Sequence, residues 1–448
     1  MKKYLIKNAR IVNEGSVIEG DVLINKGIIE QIDDNISHKD GETKLIDING
    51  SFLMPGVIDD QVHFREPGLT QKANIQTESI AAVAGGTTSY IEQPNTVPQA
   101  TTLELLEQKY DIGAASSLAN YSFNLGATND NLEELKKASK ENIAGIKIFM
   151  GSSTGNMLVD NQEVLEKIFG EVNHQLIAHC EDEGTVQRNF EKFKKEYGDD
   201  IPMKFHPEIR SAEACFLSSN YAINLAKKHD SRFHVYHVST ERETALFSNS
   251  KPLGEKKITS EACIHHLWFD DSSYDEKGTL IKWNPAVKTA EDREGIWKAL
   301  LDDRIDVIAT DHAPHTLEEK NNPYTKAPSG GPLIQHSLVA MMRFVLEGKI
   351  TVEKLVEKMC HNPAILFGVK NRGFIREGYA ADVVVVDPAK PWSVNQDNIL
   401  AKCSWSPFEG QTFRSRVTHT FVNGNLVYNQ GKINNAVMGQ RLLFDRNW

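Results

Sequence analysis

Five segments place histidine, aspartate, lysine or arginine in or just after an apolar run, where such side chains need a partner. In IDDQVHFREPG, residues 58–68, His63 offers an imidazole to a metal and Arg65 a guanidinium to an anion, although a lone His-x-Arg also suits an ordinary loop. His179 in IAHCED and His237 in FHVYHVST follow apolar residues. A divalent metal would satisfy a buried imidazole at either place, and so would a backbone carbonyl. His234, three residues before His237, reads as structural. The sharpest local signal is IATDHAPH, residues 308–315, with Asp311, His312 and His315. A carboxylate such as Asp311 can bind a metal and take a proton from water that the metal has acidified. Lys147 lies within the apolar GIKIFMGSS; a buried ammonium either pairs with an acid, the simplest reading, or is chemically changed. A Ser/His/Asp triad is the rival chemistry for such residues.

These residues need a scaffold that gathers strand ends. Between Phe52 and His315, eight short apolar runs alternate with segments such as TTLELLEQKY, NLEELKKASK and DREGIWKALL, which carry apolar residues at helical spacing. The runs are LMPGVID, TTSYIEQ, YSFNLGA, AGIKIFM, QLIAHCE, FHVYHVS, KITSEAC and DVIATDH. The expected fold class is α/β, a (β/α)8 TIM-type barrel over residues 56–370 with its site at the C-terminal strand ends. A doubly wound open sheet is the alternative. Residues 1–55 and 371–448 read as strands, including ADVVVVD and the hairpin HTFVNGNLVYNQG, and together predict a small β-sandwich formed from both chain ends.

With 448 residues, 40% hydrophobic and 25% charged, the chain can bury a large core, which excludes a disordered or fibrous protein. Its net charge of −11 comes without a Lys/Arg cluster to follow a phosphate backbone, so nucleic acid is not expected. The sequence has neither a signal-peptide-like start nor a membrane-length apolar run, and a cytoplasmic location is expected. The five cysteines show no CxxC spacing and read as reduced packing residues. The expected partner is a small-molecule substrate, with no nucleic acid and no membrane; a homo-oligomer is compatible with the sequence.

MPGVID, VHFREPG, GGTTSYIEQPNT, IAHCED, HVST, ATDHAPH and ADVVVVD, in this order over almost the whole chain, resemble the amidohydrolase superfamily and, within it, the dihydroorotase family. That resemblance implies a zinc-dependent cyclic amide hydrolase of pyrimidine (UMP) biosynthesis, interconverting N-carbamoyl-L-aspartate and L-dihydroorotate. It implies metal ligands at His63, His179, His237 and Asp311, and at Lys147 a lysine that many relatives carboxylate to bridge two metals. Asp311 also matches the general acid/base. Arg65, Asn95 and His315 match contacts to the substrate carboxylate, and Asn284 in KWNPAVK matches a further substrate contact.

One position departs from the pattern. Relatives carry His-x-His at the end of strand one, and here Gln61 replaces the first histidine. An amide oxygen is a poor zinc ligand beside imidazole. Three readings stay open: a single zinc on His179 and His237, a second ion with fewer protein ligands or more water, and an inactive dihydroorotase-like assembly partner. Ala286-Val287-Lys288, where the family more often has Pro-Leu-Arg, marks a smaller departure in the substrate loop. Hydantoinases and allantoinases share the metal set, and FREPG with QPNT favours a substrate bearing a carboxylate.

Overall fold

Each of the eight apolar runs overlaps one strand of a parallel barrel: β1 (Val57–Val62), β2 (Thr87–Glu92), β3 (Asn120–Phe123), β4 (Ile146–Phe149), β5 (Leu176–His179), β6 (Phe233–Val235), β7 (Ile258–Cys263) and β8 (Val307–Ala309). The structure is a computed structural model that describes residues 2–37, 41–151, 157–435, 439–446 and 448. Strands β1 to β3 pair in parallel, and so do β4 to β8. Leu125–Gly126, just beyond β3, carries the ladder to β4. The ring closes where Val62 bridges His312 and the His63 N–H donates to the His312 carbonyl at 2.7 Å. Closure rules out the open-sheet alternative and leaves no barrel edge exposed.

The helices start where side chains can accept the free N–H groups of a first turn. Asn74 and Thr77 form a capping box at Ile75–Ala84, Thr102 caps Leu103–Ser116, Ser211 caps Ala212–His229 and Thr289 caps Ala290–Leu301. NLEELKKASK forms only the single turn Leu132–Leu135 instead of the expected longer helix. Its helical apolar spacing stops at Leu135, and the chain then turns through Ser139–Asn142 to bury Ile143. No helix among the described residues is long and apolar enough to cross a membrane.

The small β-domain is one nine-stranded mixed sheet drawn from both ends of the chain. Phe52–Pro55 lies at its middle, parallel to Tyr4–Asn13 and antiparallel to Val383–Asp387. Alternation within VVVV splits the strand between two cores. Val383 and Val385 pack with Ile6, Ile24 and Leu53 of the sheet, whereas Val384 and Val386 join the barrel core. Asn423 and Gly424, both with positive φ, make the tight turn between Arg416–Val422 and Asn425–Asn429. The described tail beyond residue 438 leaves this sheet for the barrel, where the Tyr121 N–H donates to Gln440 O and the Leu442 N–H to Tyr121 O.

Candidate active site

The C-terminal strand ends converge on one cavity of about 100 Å³, lined by Gln61, His63, Arg65, Asn95, Lys147, Phe149, His179, His237, Asn284, Asp311, Ala313, Ser329 and Gly330. A larger groove of about 620 Å³ lies at the opposite ends of β6 and β7 and holds none of these groups. His63 follows β1, Asn95 lies just past β2, Lys147 lies within β4 and His179 ends β5. His237 and Asp311 each lie two residues beyond a strand. Arg65, His237 and Asp311 have φ of 70°, 40° and 49°, left-handed backbone in non-glycine residues. Such strain, roughly 1–3 kcal/mol each, persists where the fold holds a side chain in a required direction.

Two pairs of candidate ligands face each other. His179 Nε2–H donates to Glu181 at 2.8 Å, which turns the Nδ1 lone pair toward His237 Nε2, 2.9 Å away. His63 Nδ1–H donates to the Asn95 side-chain oxygen at 2.8 Å, which turns Nε2 toward Asp311 Oδ1 at 3.1 Å. Burial holds all three imidazoles below the ordinary histidine range, His237 well below it. Neutral imidazoles aimed at one another and at a carboxylate make a donor set that fits a divalent cation.

Lys147 is 1% exposed, and among the described residues no carboxylate comes within ion-pair distance of it. The salt bridge that a buried lysine suggests is therefore absent there. Its ammonium stands 4.1 Å from the centre of the Tyr236 ring and 4.9 Å from that of Phe149. Burial pushes its pKa down to about 7, against the pull of Asp311 and Glu261.

Arg65 remains a cation at neutral pH: burial lowers its pKa only to about 10. Its Nε donates to Pro314 O at 3.0 Å. His315 does not line the cavity; it stands behind Arg65, 2.9 Å from the guanidinium, and touches Lys72 and the Ser329 carbonyl. Asn284 is on the wall and accepts from the Ser329 hydroxyl at 2.9 Å. Lys288, in the departing loop, is buried against Ala286 O and Ser239, away from the cavity. Gln61 lines the wall where the resemblance implies an imidazole, and its Oε1 lies 3.6 Å from the Cys263 thiol.

The sequence reading missed Glu181 and Arg210. Glu181 fixes His179, and Arg210 pairs with the same carboxylate. Burial disfavours that charge, but Arg210 and then His179 hold the Glu181 pKa down at about 2. The position of Glu181, two residues after His179, was the available signal; Arg210 arrives from another element and left none.

The amidohydrolase family pattern matches residues 52–427. The chain is 33% identical over 438 residues to a dihydroorotase of Enterococcus faecalis, covering 96% of this chain and 99% of that one. It is 30% identical over 430 residues to a dihydroorotase of Methanosphaera stadtmanae, covering 95% and 96%. Among solved structures, the L-hydantoinase (dihydropyrimidinase) from Arthrobacter aurescens has a TM-score of 0.93 at 27% identity, covering 99% of this chain and 100% of that one.

Proposed function

The chain belongs to the amidohydrolase family, as a cyclic amidase of that superfamily, and on that premise we propose that it is a dihydroorotase of pyrimidine biosynthesis. The observation that carries this reading is Arg65, a buried cation on the wall that Asp311 shares. Dihydroorotate and N-carbamoyl-L-aspartate bear a carboxylate that a guanidinium can hold through two parallel hydrogen bonds, whereas hydantoin and dihydrouracil have none.

His179 and His237 would hold the tighter zinc ion. His63, Asp311 and Lys147 would serve a second with fewer nitrogen ligands, because Gln61 supplies an amide. A lysine with a pKa near 7 is substantially the free amine at neutral pH, the form that adds CO2, which supports carboxylation of Lys147. A zinc ion held there would supply an acidified water and a Lewis acid for the ring amide carbonyl. Asp311 takes the proton of the attacking water and delivers it to the leaving ring nitrogen; in the biosynthetic direction it runs the same transfer in reverse. Arg65 anchors the carboxylate, with His315 bracing it from behind. Asn95 orients His63 through its oxygen and offers its amide N–H2 to the substrate, and Asn284 completes the wall.

The test is a ring-opening assay on zinc-loaded protein with L-dihydroorotate, hydantoin and dihydrouracil side by side. Turnover of dihydroorotate well above the other two is expected. Faster turnover of hydantoin or dihydrouracil would move the assignment to the hydantoinase type, as the similarity to the Arthrobacter enzyme allows. Metal-loaded protein inert to all three would support the inactive-partner reading.

A further inference from the structure

One layer below the cavity the barrel interior stays ionic, where branched aliphatic side chains ordinarily fill it. Asp60 of β1, His234 of β6 and Glu261 of β7 are each fully buried, and one ligand atom from each lies within 4.8 Å of the other two. His234 Nε2 is 3.4 Å from Asp60 Oδ2 and 3.9 Å from Glu261 Oε2. Its Nδ1 lies 2.8 Å from the Thr259 hydroxyl, which is itself directed at Phe233 O at 3.5 Å. With Thr259 donating to that carbonyl, Nδ1 carries a hydrogen and Nε2 faces the two acids. Both Asp60 carboxylate oxygens, Glu261 Oε2 and His234 Nε2 have no hydrogen-bond partner among the described residues. Two carboxylates and an imidazole nitrogen thus converge in a buried interior, an arrangement costly unless a proton or a metal cation joins it.

We propose that Asp60, His234 and Glu261 form a further, buried divalent-cation site of two oxygen donors and one nitrogen, suited to Zn2+ or Mn2+ and separate from the catalytic ligand set. A proton on His234 neutralises one of the two acids; a divalent ion neutralises both and accepts all three donors. His234 already feels that pull: although burial opposes it, Asp60 and Glu261 raise its pKa to about 9. Thr259 supplies the outer hydrogen bond that fixes the ring of a metal-binding histidine. The site communicates upward through the second oxygen of Glu261, which accepts from the His237 N–H at 3.2 Å and from the Cys263 thiol at 3.1 Å. An ion there would fix the carboxylate that holds the strained backbone of His237. None of this depends on which cyclic amide is the substrate.

The experiment is anomalous diffraction on either side of the zinc K edge, from crystals of the full chain purified without chelator and given three equivalents of zinc chloride. A peak bonded to Asp60, His234 and Glu261, resolved from density at His179 and His237, is expected. Anomalous density confined to the catalytic cavity overturns the proposal, whatever the ring-opening assay shows. In solution, H234Q should lose one equivalent of bound zinc while keeping the ion at His179 and His237, and an unchanged zinc content in folded H234Q also overturns it. Should H234Q not fold, the wild-type map decides alone.

Discussion

Asp311 Oδ1 lies 3.1 Å from His63 Nε2, on a backbone held at φ 49°. Asp311→Asn keeps the shape and removes the proposed base; kcat should fall by roughly 10²- to 10⁴-fold with zinc at His179 and His237 retained. Full activity in that variant would end the acid/base assignment. Arg65→Ala should raise KM for dihydroorotate by roughly 10- to 100-fold, the worth of a lost charged hydrogen bond, with a smaller change in kcat; an unaltered KM would refute the carboxylate contact. Glu181→Gln should weaken zinc binding by roughly 10- to 100-fold, measured by competition with a chelating dye. It also carries a pH signature. With the folded pKa at about 2 and an unfolded value near ~4.3, the stability from Glu181 is fully present above the unfolded value and is lost as pH falls toward the folded one. Wild type and E181Q should therefore differ in denaturation midpoint at pH 7 and converge only as pH falls through about 2. His63, His179, His237 and Asp311 were legible in the sequence because each interrupts an apolar run. The place of His315 behind Arg65 was not, since nothing along the chain separates a residue that lines the cavity from one that stands behind it.

Two loops carry the proposed substrate contacts, and they are fastened together. FREPG follows β1 and QPNT follows β2, and the Val97 N–H donates to Pro67 O at 3.1 Å. Gly68 sits at the join with φ 83°, and a Cβ there would lie 2.0 Å from Val97 O, a backbone atom that cannot swing aside. Gly68→Ala should cost roughly 1–3 kcal/mol and splay the loops. Because His179 ends β5 and His237 lies just past β6, KM should rise while zinc content stays constant; loss of zinc with unchanged KM would show the loops and the metal side to be coupled differently. The strand rhythm was readable, as was the Asn423-Gly424 turn. The short helix at Leu132–Leu135 was not, because four residues of favourable pattern do not reveal that the chain must turn to bury Ile143.

Both ends of the chain close one sheet whose middle strand packs against two cores. Val384 faces the barrel core and Val385 the core of the sheet. Each Val→Ala change removes about two methylene equivalents from a packed interior, about 2 kcal/mol with its cavity. V384A and V385A should each lower a single thermal transition by a similar amount in calorimetry. Two transitions, with V385A moving only one, would show that sheet and barrel unfold separately.

The sequence by itself determined the alternation of strands and helices, the residues available for chemistry and the substitution at Gln61, because these follow from periodicity and side-chain type. The tertiary structure decided what those residues face. Ring closure brought β1 and β8 together, so that His63 meets Asp311, and sent His315 behind Arg65. It also left Lys147 without an acid partner among the described residues and stacked Asp60, His234 and Glu261 beneath them. His234 shows the difference most clearly. Along the chain it is a histidine within an apolar strand, and its two acids come from strands that only the closed barrel brings beside it.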